Sequence, residues 1–431
     1  MRLNKNFLSQ SDLAKPIIVM FAATTFANFF NYLYNLVVGR MLGPGDFGIF
    51  TSMLSIILIF MGLATSLQLV ITRYVAILSS QNRYSSIKKY FIRSLKLYGV
   101  VGFLCFGLIM VLSFLIKDFL KVPSIFPIMA AALFIAISMV SSSPMGVLQG
   151  IQSFGKYSVS VIVPPVFRFV FGILFIYFGW GVAGAVGSSA VGGMAALVLL
   201  LIFVFKSIHG SKYQQNSDPD IKGESALKFS IYVLVSTFLL LAIINSDMLF
   251  AKHYFSSVEA GIYGSVVTLG KIVLYMPMAV SIVLMPKTSE IGKINSRSGR
   301  ILLKSIAITI FLCLLVVLIY FLAPNFLVKL IFGSNFLKAI PYISYYGLAM
   351  VFISVLQVFS TYFISVYSRI LIPMLGATLF AQVFLFNLFT RSLMEYVFIM
   401  LAIGLLTCAF SISYVVFMLM RERHISIRTY K

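Results

Sequence analysis

Twelve stretches of about twenty apolar residues run almost end to end through this chain, each long enough to cross the hydrocarbon of a bilayer as a helix. They fall at 16–38, 49–72, 95–116, 126–149, 158–178, 182–205, 229–251, 261–286, 305–323, 341–364, 370–390 and 396–420. The short polar gaps at 179–181 and 365–369 read either as loops or as kinks. With 61% hydrophobic and 10% charged residues, the chain has too little polar surface to cover a water-soluble globule. Backbone polar groups in lipid must be satisfied internally, so such a chain is expected to be an all-α integral membrane protein. The first stretch is too long to be the core of a cleaved signal peptide. Cys105, Cys313 and Cys408 lie inside apolar stretches and offer neither a disulfide framework nor a metal site.

The formal net charge of +22 would suggest nucleic acid in a soluble protein. In a membrane protein it first sets topology. With both termini cytoplasmic, 24 Lys and Arg fall on inner segments and 7 on outer ones: Arg40, Lys117, Lys121, Lys252, Lys329, Lys338 and Arg391. The asymmetry follows the positive-inside rule, and one missed span would scramble it. Most of the charge is thereby orientation signal and contact with anionic headgroups, and no nucleic-acid partner is needed.

The longest polar segment, 206–228, follows six spans and precedes six more. It divides the chain into an N-terminal six-helix bundle (1–205), a cytoplasmic linker (206–228) and a C-terminal six-helix bundle (229–431). The halves repeat: with one insertion, Arg40 matches Lys252, Asp46 matches Glu259, and Gly48-Ile49-Phe50 matches Gly261-Ile262-Tyr263. Arg73 with Lys287, Pro127 with Pro341, and Lys156 with Arg369 follow at nearly the same offset. An even number of spans per half makes these parallel repeats, expected to surround a shared central cavity. Gly184, Ser188, Gly192 and Ala196, spaced by four, suit close packing of span six within its own bundle.

Charges at bilayer depth are costly and must face protein or water. Three lie there: Arg168 in span five, Asp247 near the outer end of span seven and Lys271 in span eight. Asp247 with Lys271 reads as a structural ion pair or, alternatively, Asp247 reads as a titrating group that couples ions. Arg168 has no visible acidic partner and is expected to face the cavity. Thr24, Asn28, Asn31 and Asn35 share one face of span one, and Gln357 belongs to a weaker stripe in span ten. A single Asn would be interhelical glue, but three on one face read as a polar cavity wall. The chain has no P-loop, hence no ATP site by that route. His209, His253 and His424 are scattered without partners at metal spacing. No catalytic residue, metal or cofactor is assigned, beyond proton or sodium coupling at Asp247.

Several loop sequences resemble those of a known family. GRMLGPGDFGIF (39–50), TRYVA (72–76), LQGIQSFGKYS (148–158), DMLFAKHYFSSVEAGIYGS (247–265) and LIFGSNFLKAIPYI (330–343) carry the resemblance. They are similar to the polysaccharide-biosynthesis proteins of the multidrug/oligosaccharidyl-lipid/polysaccharide (MOP) exporter superfamily, with Wzx-type flippases nearest. The resemblance spans nearly the whole chain. It implies a MATE-like fold that opens a cationic cavity to either side of the bacterial cytoplasmic membrane in turn. The implied cargo is a polyprenyl diphosphate-linked oligosaccharide of an O-antigen, capsule or other surface polysaccharide. Cavity cations would hold its diphosphate, and the matching positions are Arg40, Arg73, Arg168 and Lys271. Span one departs from the pattern, its polar face being amide and not cationic, which points to sugar hydroxyls there.

A cation-coupled multidrug exporter of the same superfamily is the alternative transport reading, disfavoured by a single acid at depth. A membrane-embedded polysaccharide polymerase or acyltransferase would show catalytic groups or a long outer loop, and neither is visible. The expected assembly is a monomer in the lipid, working beside a polysaccharide polymerase and chain-length proteins.

Overall fold

The structure, a computed structural model, describes residues 10–209, 224–275, 278–289 and 291–429. Among them are fourteen α-helices, one 3-10 turn and no strand. Eleven helices are long and apolar enough to cross a membrane, and the protein is a multi-pass membrane protein. The first of these, within α1 (Gln10–Ser80), carries an apolar stretch of 62 residues. At 1.5 Å per residue that is about 93 Å of helix against about 30 Å of hydrocarbon, so it cannot be one span. The break is Gly43, whose φ of 71° and ψ of 175° are all but closed to residues with a Cβ. The arms on either side of it hold the first two expected spans.

The remaining helices follow the order of the apolar stretches. In the first half come α2 (Tyr84–Val111), the short α3 (Ser113–Phe119), α4 (Phe126–Gly150), α5 (Phe154–Tyr177) and α6 (Gly181–His209). The second half has α7 (Glu224–Tyr254), α8 (Ser257–Tyr275), α9 (Met278–Ser289), α10 (Ser296–Leu322) and the short α11 (Pro324–Ile331). After a 3-10 turn at Ser334–Ala339 it continues with α12 (Ile340–Ser365), α13 (Leu371–Leu388) and α14 (Leu393–Thr429). Several helices begin before their apolar stretches, α2 and α10 by the most. α2 runs through Lys88, Lys89, Arg93 and Lys96, and α10 through Arg297, Arg300 and Lys304, because long basic side chains lay their stems on the helix and keep their charges in water. The eighth expected span, 261–286, is divided between α8 and α9. The two short gaps are true breaks: Gly179 and Gly181 in one and Tyr367 in the other have positive φ. Most of the connection expected at 206–228 lies outside the described residues.

The repetition extends to details of backbone. Each half places a short helix, α3 or α11, before a long one that opens with a proline in its first turn, Pro127 or Pro341. There the missing N–H costs nothing. Each of these long helices, α4 and α12, closes with the same pair of bonds. Gln152 N–H donates to the Gln149 carbonyl and Ser153 N–H to that of Leu148, as Tyr367 does to Ile364 and Ser368 to Phe363. This is the Schellman arrangement, with Gln152 (φ 57°) and Tyr367 (φ 51°) at the left-handed position.

The chain forms two compact units, one of Met1–Met41 with Phe60–Gly223 and one of Leu42–Ile59 with Glu224–Lys431. In the first, Ile71, Val75, Phe91, Tyr98, Val147, Leu148 and Leu200 form a buried core. Gly192 of α6 lies against α5, where a Cβ would come within 2.5 Å of the Pro164 carbonyl oxygen. In the second, the backbone of 44–51 lies directly on α8. A Cβ on Gly48 would sit 2.8 Å from the Gly261 nitrogen, and one on Gly261 would fall onto the Pro44 carbonyl oxygen. Gly48 and Gly261 are the matching residues of the two motif copies.

Candidate functional site

Each unit buries its own polar cluster. In the first unit, Tyr34 of α1 is fully buried, and its hydroxyl donates to the Ala185 carbonyl at 2.6 Å and lies 3.0 Å from Ser188 Oγ of α6. The Arg168 guanidinium of α5 stands over the Tyr34 ring, 4.4 Å from its centroid. One turn on, Gly172 leaves room for that ring, which a Cβ there would enter. A guanidinium on an aromatic face gains cation–π attraction while keeping its charge. Arg168 is thus oriented by a tyrosine that the sequence reading did not single out.

The rest of the span-one stripe is less uniform. Thr24 and Asn28 are exposed, Asn31 and Asn35 half-buried. Thr24 bonds back to its own helix, at the Met20 and Phe21 carbonyls. Asn35 Nδ2 donates to the Asn31 carbonyl, while its buried Oδ1 has no partner among the described residues. Arg40 and Arg73, near the ends of their spans, are exposed.

In the second unit Asp247 of α7 is fully buried. Its Oδ2 accepts from the hydroxyls of Tyr263 (α8) at 2.9 Å and Tyr346 (α12) at 2.7 Å, while Oδ1 has no partner among the described residues. The Lys271 amine donates to Asn245 Oδ1 at 2.9 Å. Lys271 and Asp247 make no direct salt bridge: the lysine is held by a neutral amide two residues from Asp247 and the carboxylate by two phenols, while each charge still lies in the field of the other. Gln357 is half-buried, with a buried Oε1 lacking a partner among the described residues.

Lys252 corrects the sequence reading. Counted there among the loop cations of the outer side, it lies in the last turn of α7, fully buried, and donates to Ser257 Oγ at 2.9 Å. A cation at a helix C-terminus is favoured by the helix dipole. Gln382 of α13, also fully buried, donates to the Ile243 carbonyl at 3.0 Å, one turn before Asp247. Gln382 carries no sequence signal, since one glutamine in an apolar span looks ordinary; Lys252 carried one in its match to Arg40, but not of its burial. Among the described residues no three His, Cys, Asp or Glu side chains gather as metal ligands.

The sequence model of a family described as polysaccharide biosynthesis protein matches residues 13–292, well over half of the chain. The chain belongs to that family. Solved structures place the fold of this polysaccharide biosynthesis protein among MOP-superfamily transporters. An inward-facing multidrug resistance MATE family transporter superposes with a TM-score of 0.74 at 13% identity, covering 93% of this chain and 98% of the other. The lipid II flippase MurJ, in an inward closed conformation, gives 0.66 at 12%, covering 93% and 87%. A MOP superfamily transporter from Pyrococcus furiosus, described as having a binding pocket of reversed polarity, gives 0.58 at 14%, covering 94% of each chain. Among curated protein sequences none matches.

Proposed function

We propose that this polysaccharide biosynthesis protein is a flippase that carries polyprenyl diphosphate-linked oligosaccharides across the bacterial cytoplasmic membrane by alternating access. The observation that carries the reading is the family match over residues 13–292, on a fold shared with a lipid II flippase. The site chemistry supports it. Arg168 and Lys271 are cations at membrane depth held by a ring and an amide, and an anionic diphosphate would offset the cost of keeping them there. Arg40 and Arg73 serve the entrances, and the amides of span one meet sugar hydroxyls. The polyprenyl tail stays in the lipid. Asp247 is the group for proton or sodium coupling, both termini are cytoplasmic, and the protein works as a monomer beside the polymerase and chain-length proteins of its pathway.

Replacing Arg168 and Lys271 by Ala abolishes surface polysaccharide while the protein stays in the membrane; unchanged export in both variants sinks the reading. Normal transport by Asp247→Asn removes the coupling role. The fold likeness to a multidrug transporter at a TM-score of 0.74 favours a second reading, drug export. Extrusion of a fluorescent lipophilic cation from cells expressing the chain would establish it.

A further inference from the structure

One polar cluster of the first unit has no part in the function above. Gln68 of α1 and Gln149 of α4 face each other, both half-buried. Gln68 Nε2 donates to Gln149 Oε1 at 2.9 Å and to the hydroxyl of Tyr157 (α5) at 3.3 Å, and the Thr72 hydroxyl reaches the same Oε1 at 3.2 Å. Two glycines of α4 set this register. A Cβ on Gly146 would meet the Gln68 carbonyl oxygen at 2.8 Å, and one on Gly150 that of Thr72 at 2.9 Å. With both absent, α4 rests on the backbone of α1 and holds Gln149 opposite Gln68.

Interhelical glue accounts for the bonds that are made but not for the groups left over. Gln68 Oε1 and Gln149 Nε2 bond no protein group among the described residues, and neither atom is sealed in the core. The Tyr157 hydroxyl accepts from Gln68 and keeps its own proton to give. An open acceptor, an open amide donor and a phenol with no charge among them match neighbouring sugar hydroxyls, each of which donates and accepts. Lipid chains offer such groups nothing, so they belong on a wet surface. The cluster lies at the ends of spans two and four, which the basic loops assign to the cytoplasmic side, where a cargo made inside would enter.

We propose that Gln68, Gln149 and Tyr157 form a subsite for the neutral sugars of the cargo head group, an inference that rests on the flippase reading. The test uses the purified full chain in detergent and two probes, polyprenyl diphosphate alone and polyprenyl diphosphate carrying a neutral oligosaccharide. Wild type prefers the glycosylated lipid. Gln149→Met and Gln68→Met each lower that preference about tenfold, the loss of one or two hydrogen bonds left unmatched, while the affinity for the bare lipid holds. Arg168→Ala weakens both lipids alike. An undiminished preference in both Met variants overturns the subsite alone, and so does an equal loss for the two lipids. If wild type binds neither lipid, the flippase reading fails and the subsite with it.

Discussion

The contact between Arg168 and Tyr34 can be tested as an energy. Tyr34→Phe removes a hydroxyl bonded at 2.6 Å to the Ala185 carbonyl. That carbonyl keeps a second donor, Ser188 Oγ at 2.8 Å, but the hydroxyl also bonds the Arg168 guanidinium, so the loss is about 1.5–3 kcal/mol. The ring remains beneath the guanidinium. Tyr34→Leu removes the ring as well, and a buried aromatic truncation adds about 2–3 kcal/mol of lost packing. Arg168→Met keeps the length of the side chain and discards its charge. At a buried site the cation–π attraction is worth about 2 kcal/mol, so Tyr34→Leu with Arg168→Met should destabilise less than the two single variants together by about that amount. Combining Tyr34→Phe with Arg168→Met should fall short of additivity by about 1–2 kcal/mol, because the hydroxyl that Phe lacks also bonds the guanidinium. The assay is reversible unfolding in mixed detergent–SDS micelles, followed by the single tryptophan, Trp180, which stacks on Phe175 at 4.7 Å in the same unit. Additivity of Tyr34→Leu and Arg168→Met within about 0.5 kcal/mol would refute the claim that the ring orients the guanidinium.

Other outcomes follow from single contacts. Gly172→Ala pushes a methyl into the Tyr34 ring and should cost about 1–3 kcal/mol by the same unfolding measurement. Gly261→Ala is at least as damaging, because its methyl would meet the rigid Pro44 carbonyl; Gly376→Ala, inside α13 with nothing within 4 Å, should stabilise by about 0.5–1 kcal/mol. The opposite order of melting temperatures would show that the close approach at Gly261 is absent. Tyr346→Phe strips one of two donors from Asp247 Oδ2 and should cost about 1–3 kcal/mol, read by thermal unfolding in detergent; an unchanged melting temperature would place the bond elsewhere.

Much of the architecture was legible because lipid leaves a chain few choices. Every expected span falls on helix, the third and the eighth in two pieces, since a long apolar run can satisfy its backbone in no other way. The ends were less legible: α2 and α10 continue through Lys88 and Arg300 because a basic side chain can reach water from inside a helix. For the site, rarity was the signal. Arg168, Asp247 and Lys271 stood out as charges among apolar residues, and the structure gives each of them specific polar or aromatic partners. Those partners were not legible, because Tyr34, Tyr263 and Tyr346 are three among 22 tyrosines and only tertiary packing sets them apart from the rest. Lys252 was misread for a related reason: spacing gave its position at a helix end, and burial there depends on what folds over it. Gln68 and Gln149 are 81 residues apart and become a pair only when two glycines bring α4 onto α1.

Residues 42–59 are joined at both ends to the first unit, at Met41 and Phe60, but packed within the second, so the covalent order of the chain and its packing order do not coincide. A gene divided within codons 206–228 would therefore make two unequal products. The fragment 1–205 would carry a piece of the other fragment's interior, and 229–431 alone would leave bare the glycine face of α8 on which Pro44 and Gly48 rest. The halves are repeats in pattern but not independent modules. Co-expressed, they have reason to find each other, whereas neither evolutionary shuffling nor engineering could exchange the C-terminal half without taking along the eighteen residues that complete it.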